Sequence, residues 1–174
     1  MNITDTPEYI LIKSFYGDEK AKRSQTPLIN HIHEGLIILD CIESDLCTQK
    51  AYCLHPILQA DEAIALNYGM DFSQIDPLAL ILTMEYRNIA NQYLSKRIIQ
   101  NIEEIKLSPL KEVNQMLIAD KVQNRKDFEL YHLDTHPRSK ELQVYFANWL
   151  QRLGVSEEKY QFLIGEIHRI GFQA

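Results

Sequence analysis

The chain has 174 residues, a formal net charge of −6, 45% hydrophobic and 24% charged residues. That length suits one domain, residues 1–174, with a real hydrophobic core. The acidic balance argues against a general nucleic-acid binder, which carries a basic footprint, yet leaves room for a local basic pocket.

The apolar spacing is helical nearly throughout. Thr6-Pro7 predicts a first helix to about Lys22, in the cap-then-proline arrangement. A second runs from about Pro27 to Ile42. Ser44 or Asp45 caps a third, expected to end where Pro56 removes a backbone donor. A short helix over 60–67 follows. Asp76-Pro77 opens a long one to about Ile102, and Ser108-Pro109 another through Phe128. The last two span about Pro137–Leu153 and Ser156–Ile170 around Gly154. Strand alternation is missing, so the expected fold is all-α. No stretch reaches membrane-span length, and no basic start with a long apolar run marks a signal peptide. Cys41, Cys47 and Cys53, six residues apart, fit neither a metal motif nor a disulfide framework. The expectation is a cytoplasmic protein with reduced, buried thiols.

Three separated segments carry the chemistry: RSQTPLINH (23–31), LHPILQAD (54–61) and LIADKVQNRKDF (117–128). His31 and His33 lie two apart and point differently on a helix, so at most one serves a given site. A lone histidine is more often structural than a ligand. The same holds individually for His55, His132, His136 and His168. Asp120 is more unusual, because a carboxylate in the apolar run MLIAD is partly desolvated and needs a cation, a metal or strong donors. The long-helix stretch with Glu85, Arg87 and Arg97 reads as a solvated face, with the border of a pocket mouth as the alternative.

With HPRSKELQVYFANWL added, the ordered segments resemble the small alarmone hydrolases, the stand-alone relatives of the hydrolase half of RelA/SpoT enzymes, including the metazoan SpoT homologue. The resemblance covers about residues 23–153. It implies a single HD-type helical bundle and a manganese-dependent removal of the 3′-pyrophosphate of (p)ppGpp, a site that a near relative uses on NADPH. It places metal ligands at His31, His55 and Asp120, with Pro56 where the fourth ligand belongs. The family's acidic pair falls on Gln59 and Ala60, which exchange no proton, with Asp61 and Glu62 as nearby substitutes. Ligand contacts fall on Lys22 or Arg23, Lys121, Asn124 and Tyr145, while Phe146 and Trp149 read as core.

The expected protein therefore binds a small phosphorylated nucleotide, a guanine alarmone or an NADPH-like molecule, with weak or no hydrolysis. Its metal is manganese or another divalent ion, or none; no membrane partner is expected, and a homo-oligomer stays open. Two rivals remain: an active hydrolase with a rearranged site, and a scaffold that keeps only the fold.

Overall fold

A computed structural model describes residues 2–59 and 70–171. The described chain is all-α, as the spacing predicts. Seven helices follow in order: α1 Pro7–Tyr16, α2 Asn30–Cys41, α3 Leu46–Leu58, α4 Pro77–Ala90, α5 Lys111–Tyr131, α6 Ser139–Arg152 and α7 Glu157–Ile170. Single 3-10 turns at Ile3–Asp5 and Ile102–Glu104 complete them. Four cap signals are where the sequence puts them, while the helix expected from Ser108-Pro109 starts at Lys111, after Leu110 and with no side-chain cap. Thr6, Asp45, Asp76 and Ser156 each accept a hydrogen bond from a backbone N–H of the first turn they cap.

α3 is the central rod, packed on α1, α2, α4 and α5, while α5 also touches α2, α4, α6 and α7. Ile32 and Ile38 of α2, Leu54 and Ile57 of α3 and Met116 of α5 are fully buried between them. Each such side chain contributes about 1.5–3 kcal/mol relative to exposure. Trp149 and Tyr160 extend the core under α6 and α7.

Four boundaries differ from the sequence expectation. α1 stops at Tyr16 because Gly17, at φ +49°, turns the chain. Residues 17–29 then form a loop clipped by a bridge between Lys20 and Pro27. α2 starts at Asn30, preceded by tighter turns from Pro27 to Ile32. α4 ends at Ala90, about twelve residues before the expected end, with the Asn91 N–H on the Arg87 carbonyl. The most consequential difference is that α3 runs through Pro56 to Leu58 instead of stopping there. The helix expected over 60–67, and with it Ala60, Asp61 and Glu62, lies outside the described residues.

α2 and α3 approach closely at Gly35. A Cβ there would overlap the Tyr52 ring, which lies against both His31 and His55. Glycine at this point is what lets the two helices bring their histidines together.

Candidate metal centre

His31 enters from α2, His55 from α3 and Asp120 from α5, and their ligand atoms all lie within 4.8 Å of one another. The Nε2 atoms of the two histidines are 3.0 Å apart. Asp120 Oδ1 lies 3.5 Å from His31 Nε2 and 3.7 Å from His55 Nε2. An ion bound at 2.0–2.2 Å with right-angled to tetrahedral bond angles holds its ligand atoms roughly 3 Å apart. The triangle is therefore close to the size a first-row divalent ion needs. His33 points elsewhere, its Nε2 2.9 Å from the Tyr9 hydroxyl, as the two-residue spacing requires.

The ring hydrogens decide what the triangle offers. Gln123 places its amide nitrogen 3.0 Å from Glu34 Oε2 and 2.8 Å from Asp127 Oδ2, which only a donor can do. Its Oε1 therefore faces His31 and accepts from Nδ1 at 2.6 Å. On the other histidine, Nδ1 donates to the Tyr52 carbonyl at 2.6 Å. Both Nδ1 positions are spent on acceptors, so in their uncharged form the rings turn two Nε2 lone pairs and a carboxylate oxygen on one point. Such a convergence is repulsive without a cation in it. Outer partners on the far ring nitrogen are also how ligating histidines are oriented.

Pro56 explains the acceptor at Tyr52. In an α-helix the N–H of residue 56 would bond to the carbonyl of residue 52. Proline has no N–H, so that carbonyl is released within the helix. His55 Nδ1 takes it. Pro56 thus fixes the tautomer and direction of the neighbouring His55 ring. Tyr52 and Tyr86 hold the same ring from two sides, with centroids 4.5 and 5.0 Å away.

Asp120 is buried and its charge is met on both oxygens. Lys121 Nζ donates to Oδ2 at 2.6 Å, and Asn124 Nδ2 donates to Oδ1 at 2.7 Å. Burial alone would raise this carboxyl; the Lys121 ammonium, then the two histidines, outweigh it and hold it well below the usual range. Burial first, then the His55 ring, lower His31 against the pull of Asp120, which favours the uncharged imidazole a metal requires.

The triad opens onto a cleft of about 630 Å³, whose walls include Pro56, Gln59, Lys121, Asn124 and Tyr145. Five positions read from the sequence thus gather around the centre. Lys121 is turned inward, over the Tyr145 and Trp149 rings at 5.6 and 5.4 Å. Tyr145 stands at the cleft wall while Phe146 and Trp149 are buried. Arg23 lines a neighbouring cleft that shares Asn124, Asp127 and Phe146 with the first. Lys22, exposed, lines neither, and Glu85, Arg87 and Arg97 are also absent from the walls of both. A larger groove around Arg125, between α5, α6 and the start of α7, holds none of the triad.

Sequence reading missed Gln123, Glu34 and Asp127, which form the layer behind His31. Gln123 and Asp127 were findable, since spacings of three and four put them near the Asp120 face of the helix. The Tyr52 carbonyl was not, because it depends on α3 continuing past a proline. Among the described residues Cys53 is buried and Cys41 and Cys47 are half-buried, all three free. No described helix is long and apolar enough to cross a membrane. Compared with family models, curated proteins and solved structures, the chain matches none.

Proposed function

We propose that this protein is a His-Asp-type domain that holds a divalent ion on His31, His55 and Asp120 and uses it to bind a small phosphorylated nucleotide. The observation that carries the reading is the convergence of two Nε2 lone pairs and Asp120 Oδ1, with both Nδ1 atoms already committed. Two imidazoles and a carboxylate form a facial set that leaves coordination positions open for a ligand. When bound, the ion supplies Lewis acidity toward a phosphoryl oxygen.

Charge supports an anionic ligand. Lys121 balances Asp120, and Lys126, 2.8 Å from both Glu34 and Asp127, offsets one of those two acids. A divalent ion added to that set leaves the cleft positive by one charge. Asn124 and Tyr145 at the cleft wall then supply a polar contact and an aromatic face for a nucleotide.

The same residues argue for weak hydrolysis. Pro56 and Gln59 in the wall offer no proton exchange. Asp127 is the other acid of that wall, and it is occupied by Lys126 and by Gln123. Losing general acid–base help costs about 10²–10⁴-fold in rate.

Calorimetry decides the reading: first with Mn²⁺, then with ppGpp and NADPH in the presence of Mn²⁺, together with a phosphate-release assay. The expected result is one ion per chain, nucleotide binding that needs the ion, and little or no released phosphate. Absence of binding by both nucleotides to metal-loaded protein contradicts it.

A further inference from the structure

Among the described helices α4 packs only on α3 and α5, and its inner face buries Ala79, Leu82, Tyr86 and Ile89. Glu85, Arg87 and Arg97 predict a charged, solvated outer face. The exposed positions of α4 are instead Pro77, Leu78, Ile81, Met84 and Asn88, none of them charged. Glu85 and Arg87 are half-buried, with Glu85 accepting from Ser108 and Asn88, and Arg97 lies past the helix end. A surface helix keeps one polar face, whereas a helix apolar on every side belongs in an interior or an assembly. Leu78, Ile81 and Met84 are 54%, 60% and 42% exposed. Leu110, also exposed, extends this face, because its N–H bonds to the Ser108 hydroxyl that donates to Glu85. The four side chains expose about 350 Å² together, the size of the largest apolar patch on a typical monomer and one that marks an interaction site. A shallow hollow of about 460 Å³ lies between the ridge Leu80–Met84 and the ridge Ile81–Glu85. Rows four residues apart are the ridges that a second helix fits between.

We propose that the outer face of α4 is the interface of a homodimer, in which two copies of the chain pack α4 against α4 about a two-fold axis at Ile81. Charge selects a second copy as the occupant. The net charge of −6 opposes self-association over most of the surface, and this uncharged face is where two copies meet without bringing like charges together. The face is also self-complementary, as a two-fold interface requires. Leu78 and Met84 lie three residues either side of Ile81, so an antiparallel crossing sets Ile81 on its own copy and Leu78 on the partner's Met84. Two patches face to face remove about 700 Å² of apolar surface; at the apolar share of about 65% found in homodimers, the whole interface is about 1,100 Å². That size sits at the weak end of specific pairs, so the dimer is one that dissociates on dilution.

The test is sedimentation equilibrium of the full chain over a wide range of concentration. A reversible monomer–dimer equilibrium is expected, weakened at least tenfold by Ile81→Asp and by Met84→Lys. Ile10→Asp, at a similarly exposed apolar position on α1, leaves it unchanged. Circular dichroism and the urea midpoint of dilute Ile81→Asp match the wild type, because the substituted side chain lies outside the core. A short bis-maleimide joins Ile81→Cys to its own copy above the wild-type background and does not join Ile10→Cys. A monomer at every concentration, or a dimer that Ile81→Asp leaves intact, overturns the interface. So does monomeric protein that co-floats with phosphatidylcholine vesicles and is released by Ile81→Asp, which assigns the face to a lipid surface. Neither Mn²⁺ nor a nucleotide enters the measurement, so its outcome is independent of the metal reading.

Discussion

The metal centre and the cleft beside it are built on opposite principles. At the centre, each of the three side chains is held by a partner that cannot readily move: a buried glutamine for His31, a backbone carbonyl for His55, a buried lysine and an asparagine for Asp120. In the adjoining cleft Arg23 comes from a loop, and His132 leaves its buried Nδ1 unbonded. A preorganised cluster loses little on taking up an ion and constrains geometry, while a loosely held rim adapts to the shape of what arrives. On the function proposed above, the rigid half is the ion's and the adaptable half the ligand's.

The harshest way to break the rigid half is Asp120→Ala. It removes a ligand atom and strands the Lys121 ammonium in the interior, which costs about 3–5 kcal/mol when one partner of a buried pair is lost. Thermal or urea unfolding measures that loss, and Mn²⁺ titration should show binding abolished. The double variant Asp120→Ala/Lys121→Met should recover much of the stability with none of the metal affinity. Recovery of both, or of neither, contradicts the assignment.

Gly35→Ala comes next. The methyl group meets the Tyr52 ring and forces α2 and α3 apart, an overpacking that costs about 1–3 kcal/mol. Because Tyr52 lies against both histidines, Mn²⁺ affinity should fall with stability. An unchanged unfolding midpoint means the helices do not approach so closely.

Pro56→Ala separates stability from binding. It returns an N–H to the Tyr52 carbonyl and evicts His55 Nδ1. The helix should be as stable as before or slightly more so, since proline inside a helix is unfavourable. Metal affinity should drop about 10–100-fold, the usual effect of losing an outer partner of a ligating histidine. ¹⁵N chemical shifts of His55 in metal-free protein report the tautomer directly. If that tautomer and the metal affinity both survive the substitution, Pro56 does no more than occupy space.

The smallest effect lies outside both regions. Burial first, then the Lys13 charge, lower His33 to about 4, so the fold prefers its neutral ring. The unfolded chain binds the extra proton between the ordinary value near 6.5 and the folded value. His33 therefore contributes stability that is fully present above about pH 6.5 and is lost as pH falls through about 4. After discounting for its partial exposure this amounts to roughly 1 kcal/mol. His33→Gln should flatten the stability curve between those pH values, and an unaltered slope in equilibrium unfolding argues otherwise.

Much of this was legible in the residues. Caps and prolines at Thr6-Pro7 and Asp76-Pro77 are local signals that act on the first turn regardless of what packs above them, so those helices begin where expected. The residues alone mark only Asp120, a carboxylate in an apolar run that needs a cation, a metal or strong donors; the resemblance of the ordered segments adds His31 and His55 beside it. What the sequence hid is non-local. Gln123 pairs with His31 across 92 positions, and no spacing rule spans that distance. Pro56 was misjudged for a physical reason. A proline near a helix end removes one bond and one only, and a side chain three residues from the freed carbonyl can take it instead. The proline expected only to end a helix becomes, in the fold, the support of its neighbour.

The central claim is that one divalent ion sits between α2, α3 and α5. Crystals soaked in Mn²⁺ and measured at a wavelength where manganese scatters anomalously address it most directly. The account predicts a single strong peak bonded to His31 Nε2, His55 Nε2 and Asp120 Oδ1, with the Pro56 side of the coordination sphere open. No peak at millimolar Mn²⁺, or a peak bonded to other side chains, contradicts it.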